Sequence, residues 1–110
     1  MVWFLVRFQF TSASAKAMIE NPHDRSDPAR TLVESFGGKL HHYFFSFGDY
    51  DGVGIVEFPD NKSAAAFSMR AGSTGAFSKF ETTVLMPTAE AEAAMRQARD
   101  TKSAFRPPNA

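Results

Sequence analysis

The densest group of polar and turn-forming residues in the chain is Gly48, Asp49, Tyr50, Asp51 and Gly52. A carboxylate can act as a general base or an anchor, and a phenol can donate a hydrogen bond to a ligand oxygen. Tyr50 and Asp51 are therefore the first candidates for chemistry. The alternative is mechanical, because glycine and aspartate also supply the positive φ and local hydrogen bonds of a hairpin turn. At the level of sequence both hypotheses stay open.

His41 and His42 are the next candidates for catalysis. They are adjacent on a predicted strand, where side chains alternate between the two faces, so we predict that they cannot together chelate one metal. His41 is expected to share a face with Tyr43 and Phe45, and His42 with Leu40 and Phe44. Either histidine is a catalytic candidate or a packed core or interface residue.

A metal site needs three convergent ligands, and the chain offers only weak sets such as His41, Asp49 and Asp51. His23, beside Pro22, is expected to be exposed in a loop. We therefore expect no metal and no cofactor.

Phenylalanine is abundant, with twelve in 110 residues. The second predicted strand carries four rings that could line a pocket for a flat apolar ligand: Tyr43, Phe44, Phe45 and Phe47. Tyr43 and Phe45 join Tyr50 and Asp51 as predicted ligand-binding residues, although such rings are also typical of cores and interfaces. The serines show no nucleophile elbow, and the segment 72–75 lacks the lysine of a phosphate loop.

The candidate residues must be positioned by strands and helices, and the pattern of apolar residues predicts where these elements lie. Val2, Phe4, Val6, Phe8 and Phe10 alternate with Trp3, Leu5, Arg7 and Gln9, which predicts a first strand. Capping residues, glycines, prolines and apolar spacing predict the other elements: helical segments from 11 to 19 and from about 26 to 36, strands over 39–47 and 52–58, a helix from about 60 to 71, a strand over 76–86, and a helix from 88 to 101.

This order predicts an α+β, ferredoxin-like βαββαβ fold: a four-stranded antiparallel sheet with helices on one face, plus a C-terminal helix. We assign residues 1–102 to this domain and expect 103–110 to be a disordered or partner-contacting tail.

The helices are expected to leave Trp3, Leu5, Val53 and Ile55 on the opposite face of the sheet. Burial of Trp3 or Leu5 would stabilise by roughly 1.5–3 kcal/mol each or somewhat more. We therefore predict that these four residues form a homodimer interface in which two sheets close into a dimeric α/β barrel.

Amino-acid composition excludes some classes of partner and chemistry. The chain carries 12 basic and 12 acidic side chains and no cysteine. These figures exclude disulfides and cysteine nucleophiles, and they give no broad attraction for nucleic acid or anionic membranes. No apolar run approaches the length of a membrane span, and we expect a cytoplasmic protein.

The third strand overlaps the RNP1 pattern of RNA-binding domains at Gly52, Gly54, Val56 and Phe58. The stacking positions, however, hold aliphatic Val53 and Ile55. We therefore expect no RNA partner.

Taken together, an aromatic first strand, Gly38 and Lys39 opening the second, and the Gly48–Asp49–Tyr50–Asp51 motif resemble the GYD domain family. The similarity extends through residues 53–57 to Pro59 and Asp60 and covers roughly residues 2–100. The resemblance implies a bacterial, dimeric α/β barrel, related in architecture to cofactor-free monooxygenases, small isomerases and haem-binding barrels. The segment 21–26 and the tail after Thr101 depart from it.

The leading functional hypothesis is a homo-oligomer that binds a small, partly aromatic metabolite between sheet and helices. Tyr50, Asp51 and either His41 or His42 would be its polar groups. One alternative is a cofactor-independent oxygenase or isomerase that uses the same pocket, with Asp51 or a histidine as base and Tyr50 stabilising an oxyanion. A second alternative is a structural or interaction module without catalysis, and fold alone cannot choose among the three.

Overall fold

The protein is described by a computed structural model that covers residues 1–108. In that range the chain forms β1 (Val2–Phe10), α1 (Ser12–Glu20), α2 (Ser26–Ser35), β2 (Lys39–Phe45), β3 (Gly52–Phe58), α3 (Asn61–Gly72), β4 (Phe77–Leu85) and α4 (Thr88–Asp100). The strands make one antiparallel sheet in the order β2-β3-β1-β4. The predicted α+β, ferredoxin-like arrangement is confirmed.

Several element boundaries differ from the predicted ones. Strand β2 ends at Phe45 because Ser46 turns the chain: its amide donates to Asp51 O at 2.9 Å and its hydroxyl to Tyr50 O at 2.6 Å. Helix α2 begins at Ser26, and Asp24 Oδ1 accepts the Ser26 amide hydrogen at 2.9 Å. Of the two residues that the sequence offers as the cap of α3, Asp60 and Asn61, Asp60 is the cap, since its carboxylate accepts from Ser63 N at 2.8 Å.

Helices α2 and α3 cover one face of the sheet, which we call the covered face. Alternate residues of β1 and β3 lie beneath them and form the buried core: Phe4, Val6, Phe8, Val56 and Phe58. Gly52 makes this packing possible, because a Cβ there would lie 2.3 Å from the Phe8 ring. Aromatic packing thus depends on a glycine that directly follows the Tyr50–Asp51 turn.

The other side of the sheet, the open face, is not covered by any helix within residues 1–108. Trp3, Leu5, Val53 and Ile55 lie on it and are half-buried by their neighbours alone. Phe44 lies beside them with 59% of its surface exposed. The expected orientation of β1 is therefore the observed one.

The prediction that His41 and His42 point to opposite faces is wrong. Leu40 pairs with Val56 and His42 with Ile55, so β2 carries one extra residue, a β-bulge at His41 and His42. Two bulge residues oppose a single partner and resume the alternation one position late. Both histidines therefore lie on the open face.

The bulge also redistributes the rest of β2. Tyr43 pairs with Gly54 and Phe45 with Gly52, both on the covered face, while Phe44 pairs with Val53 on the open face. The expectation that Tyr43 and Phe45 share a face with His41 is therefore also wrong.

Helix α4 follows β4 after Met86 and Pro87 and has no buried residue. Thr88 is its first residue and not its cap, which is Pro87. Residues 103–108 are exposed and form neither helix nor strand, while the last two positions of the predicted tail, 109 and 110, lie outside the described residues. Among residues 1–108, no helix combines the length and apolar character needed to cross a bilayer.

Candidate functional site

A cavity of about 210 Å³ lies between the covered face of the sheet and helices α2 and α3. Its walls are mostly apolar. The aromatic part of the lining consists of Phe8, Phe10, Tyr43, Phe67, Phe77 and Phe80. Helix α2 contributes Pro28, Ala29, Leu32 and Val33 to the opposite wall. A concave, mostly apolar cavity with few polar groups is typical of a small-molecule site.

Tyr43 provides a phenol in the wall of this cavity. Burial raises the pKa of the Tyr43 hydroxyl to about 12, with a smaller opposing influence from the Arg25 guanidinium. The ring packs against Phe8 at a centroid distance of 5.8 Å and against Phe45 at 6.0 Å. Near neutral pH Tyr43 is therefore a protonated, fixed hydrogen-bond donor.

Arg25 is the charged side chain of the cavity lining, and it is half-buried. One of its Nη atoms lies 3.0 Å from His23 Nε2, and His23 Nδ1 lies 2.8 Å from Asn21 O. A carbonyl can only accept, so Nδ1 carries the proton and Nε2 of the neutral ring accepts from Arg25. This chain of bonds fixes the guanidinium at the edge of the cavity.

A second, more open cleft of about 410 Å³ adjoins the cavity on the side of α1. Phe10, Arg25 and Ala76 line both spaces. The outer cleft also includes His23, Asn21 and Glu20. Arg25 therefore stands where the apolar interior meets the polar surface.

Tyr50 does not line the cavity but lies over the open face. Its ring centroid is 4.5 Å from Arg7 Cζ and 4.7 Å from Lys79 Nζ, which are cation–π distances. Its hydroxyl donates to Glu81 Oε2 at 2.8 Å, and this hydrogen bond holds the pKa of Glu81 below its usual value. Arg7 and Lys79 are both ion-paired with Glu81, so with Tyr50 these side chains form a compact cluster of two cations and one anion.

Asp51 holds the end of the sheet together. Its Oδ2 accepts the Phe10 amide hydrogen at 2.8 Å, and its own amide donates to Phe8 O at 2.8 Å. Strand β3 begins at Gly52, opposite Phe8, so it offers no backbone acceptor to Phe10. The Asp51 carboxylate takes the place of that acceptor, and the mechanical hypothesis describes what Asp51 does in this structure.

The two histidines form a separate cluster on the open face. His41 Nε2 lies 2.6 Å from Glu57 Oε1, and the His41 ring stacks on Trp3 at 4.4 Å. His42 stacks with Phe44 at 6.1 Å. Within residues 1–108, no three His, Cys, Asp or Glu side chains come together in a metal-binding arrangement.

The predicted site residues are therefore divided among three places. Of the four predicted ligand-binding residues, Tyr43 alone lines the cavity; Phe45 packs beside Phe10 at its edge, at 5.8 Å. The expectation that Tyr50, Asp51 and a histidine supply the polar groups of this pocket is wrong: Tyr50 and both histidines lie on the open face, and Asp51 binds the Phe10 amide at the end of the sheet. Sequence reasoning missed Arg25, whose one signal was its position in the segment 21–26 that departs from the family pattern.

Comparison with known proteins gives a family and a fold. The family model described as GYD domain matches residues 4–95 of this chain. None of the curated proteins matches the chain significantly.

Two solved structures illustrate the fold likeness. The crystal structure of FFRP-DM1 is similar with a TM-score of 0.56 and 14% identity, covering 78% of this chain and 100% of that one. An uncharacterised NIPSNAP domain protein from Burkholderia xenovorans has a TM-score of 0.50 and 13% identity, covering 79% of this chain and 94% of that one. At these identities both likenesses concern the fold alone.

Proposed function

The chain belongs to the GYD domain family, and we propose that it acts as a homodimer that binds a small, partly aromatic metabolite between its sheet and helices. The observation that carries the binding part is the apolar, ring-lined cavity of about 210 Å³. An engineered apolar cavity of about 150 Å³ is large enough to bind benzene. Drug-sized ligands occupy roughly 300–1,000 Å³. A ligand with one aromatic ring and a short substituent matches this volume.

The dimer part of the proposal is supported by the character of the open face. Its centre is an apolar strip formed by Trp3, Leu5, Val53, Ile55 and Phe44. The strip lies between the hydrogen-bonded His41–Glu57 pair and the ion-paired Arg7–Glu81–Lys79 cluster. A charge-poor centre with a polar rim is the usual anatomy of an interface. A second copy offers the same strip and satisfies two-fold symmetry.

The composition of the cavity favours binding over catalysis. Among residues 1–108, the ionisable side chains that line it are Arg25 and Tyr43. A guanidinium stays charged, and the raised pKa of Tyr43 keeps its phenol protonated, so neither acts as a general base near neutral pH. An oxygenase or isomerase would need its base to come from the ligand or from elsewhere.

The binding proposal is tested by titrating the protein with two neutral probes, indole and benzyl alcohol, while following the methyl NMR signals of Leu32, Val33 and Ala71. These residues line the cavity. We expect saturable shifts confined to the cavity methyls. Ala29→Leu should abolish them, because the larger side chain fills the cavity from α2. Ala93→Leu, the same change on the exposed side of α4, should leave them intact.

Two results would contradict the proposal. If neither probe shifts the cavity methyls, the cavity takes no aromatic ligand and an interaction module becomes the better hypothesis. If Ala29→Leu binds the probes as well as the parent protein does, the ligands occupy another site.

A further inference from the structure

We propose that the ligand of the cavity is an aromatic carboxylate, whose ring enters the apolar interior and whose carboxylate is held by Arg25. This inference rests on the proposed binding function and adds the chemical class of the ligand. Three observations support it: the position of Arg25, the state of its hydrogen bonds, and the placement of the neighbouring carboxylates.

The position of Arg25 is unusual for a charged residue. Its side chain lines the apolar cavity and the outer cleft at once, and it is half-buried at the N-cap of α2. Partial removal of a guanidinium from water carries a cost that an anionic partner offsets. Among residues 1–108, Arg25 forms no ion pair with a carboxylate. An anion delivered by a ligand would supply that partner.

The hydrogen bonds of Arg25 leave donors available. A guanidinium has five N–H donors in a planar fork, and the one side-chain bond observed here is to His23. That bond orients the group without neutralising it, because the His23 ring is neutral in this arrangement. The planar fork matches the two oxygens of a carboxylate. Tyr43 lines the same cavity and offers one further donor.

The acidic side chains nearby are engaged elsewhere. Asp24 precedes Arg25, but its carboxylate accepts the Ser26 amide hydrogen, which also holds its pKa below the usual value. Glu20 lines the outer cleft and pairs with Lys16 at 3.9 Å. Neither carboxylate satisfies Arg25, so the charge at the mouth of the cavity stays positive.

The test compares two probes of nearly equal shape, phenylacetate and phenylacetamide, by the same methyl NMR titration at neutral pH. We expect phenylacetate to bind at least about tenfold more tightly, which corresponds to about 1.4 kcal/mol. Arg25→Gln should weaken phenylacetate until the two probes bind about equally, and circular dichroism should show that the variant is folded. The matched control is Arg30→Gln, which removes an exposed charge on the same helix and should retain the preference.

The possible results separate this inference from the function beneath it. Equal binding of both probes to the parent protein overturns the carboxylate assignment and leaves the cavity as a binding site. A preference that survives Arg25→Gln also overturns it, because another cation would then hold the anion. If neither probe binds, the proposed binding function fails and the inference fails with it.

Discussion

The two faces of the sheet differ in what covers them, although alternating residues of the same strands form both. On the covered face, Phe8 and its aromatic neighbours pack under two helices and still leave a cavity of about 210 Å³. On the open face, Trp3 and Leu5 lie in an apolar strip that no helix within residues 1–108 covers. The covered face therefore borders a cavity, whereas the open face presents an apolar surface.

The charges of the two faces differ in the same way. On the open face Arg7 and Lys79 both lie within ion-pair distance of Glu81, at 3.3 Å and 3.6 Å. Arg25 is the single cation that lines the cavity, and it has no ion-pair partner among the described residues. Ion-paired side chains suit the rim of a protein interface, and a cation without a carboxylate partner suits an anionic ligand. The proposed ligand site therefore lies outside the Gly48–Asp51 motif that identifies the family.

The largest expected effect concerns the open face. Trp3→Asp puts a charge in the centre of the proposed interface, and a central aromatic residue commonly contributes at least about 2 kcal/mol, or roughly 30-fold in affinity. We expect the variant to dissociate into monomers of 12.1 kDa in native mass spectrometry. Ile19→Asp, an equally polar change at an exposed site on α1, should not change the mass.

An unchanged mass for Trp3→Asp would assign self-association to another surface, with α4 as the next candidate because it has no buried residue. A monomeric parent protein would contradict the proposal that the open face is an interface, since that face would then stay exposed to water. Circular dichroism of each variant separates dissociation from unfolding.

Sequence patterning predicted the fold well because alternation in β1 and β3 is strict. Phe4, Val6 and Phe8 could lie only on the face opposite Trp3 and Leu5. The same rule failed in β2 because a bulge inserts one residue there. The residue types of His41 and His42 do not indicate a bulge. After the bulge each side chain changes face, and this moved Tyr43 into the cavity. The one-residue shift in the register of β2 is the reason why the sequence did not predict the side chains of β2 that face the cavity.

Arg25 was missed for a different reason. Loop residues have no periodicity, and the sequence shows neither where a loop passes nor which cavity it borders. The Tyr50–Asp51 turn drew attention instead, because its residue types suit both chemistry and hairpin geometry. Only the contacts seen in three dimensions distinguish a catalytic or binding role from a structural role in the turn.

The next expected effect concerns that turn. Asp51→Ala removes the acceptor of the half-buried Phe10 amide; an unpaired donor costs roughly 1–3 kcal/mol when fully buried, so a loss of about 1 kcal/mol is expected here. We expect this loss of unfolding free energy in urea denaturation, while Asp49→Ala, at an exposed neighbouring position, should cost less than about 0.5 kcal/mol. Tyr50→Phe should lie between them and leave probe binding unchanged. Loss of probe binding without loss of stability would instead make Tyr50 a ligand-binding residue.

The smallest effect at neutral pH, and the one that tests the covered face most directly, is the ionisation of Tyr43. Burial raises its pKa to about 12, above the value of about 10 expected in the unfolded chain. The folded state therefore favours the neutral phenol: its contribution to stability is complete below about pH 10 and is lost as the pH rises towards 12. Tyrosinate absorbance should show this titration in the parent protein and not in Tyr43→Phe, whose stability should fall less steeply over the same range. A Tyr43 that ionises near pH 10 would mean that water reaches the phenol freely, and the contrast between a dry cavity and an exposed open face would fail at the residue where β2 changes register.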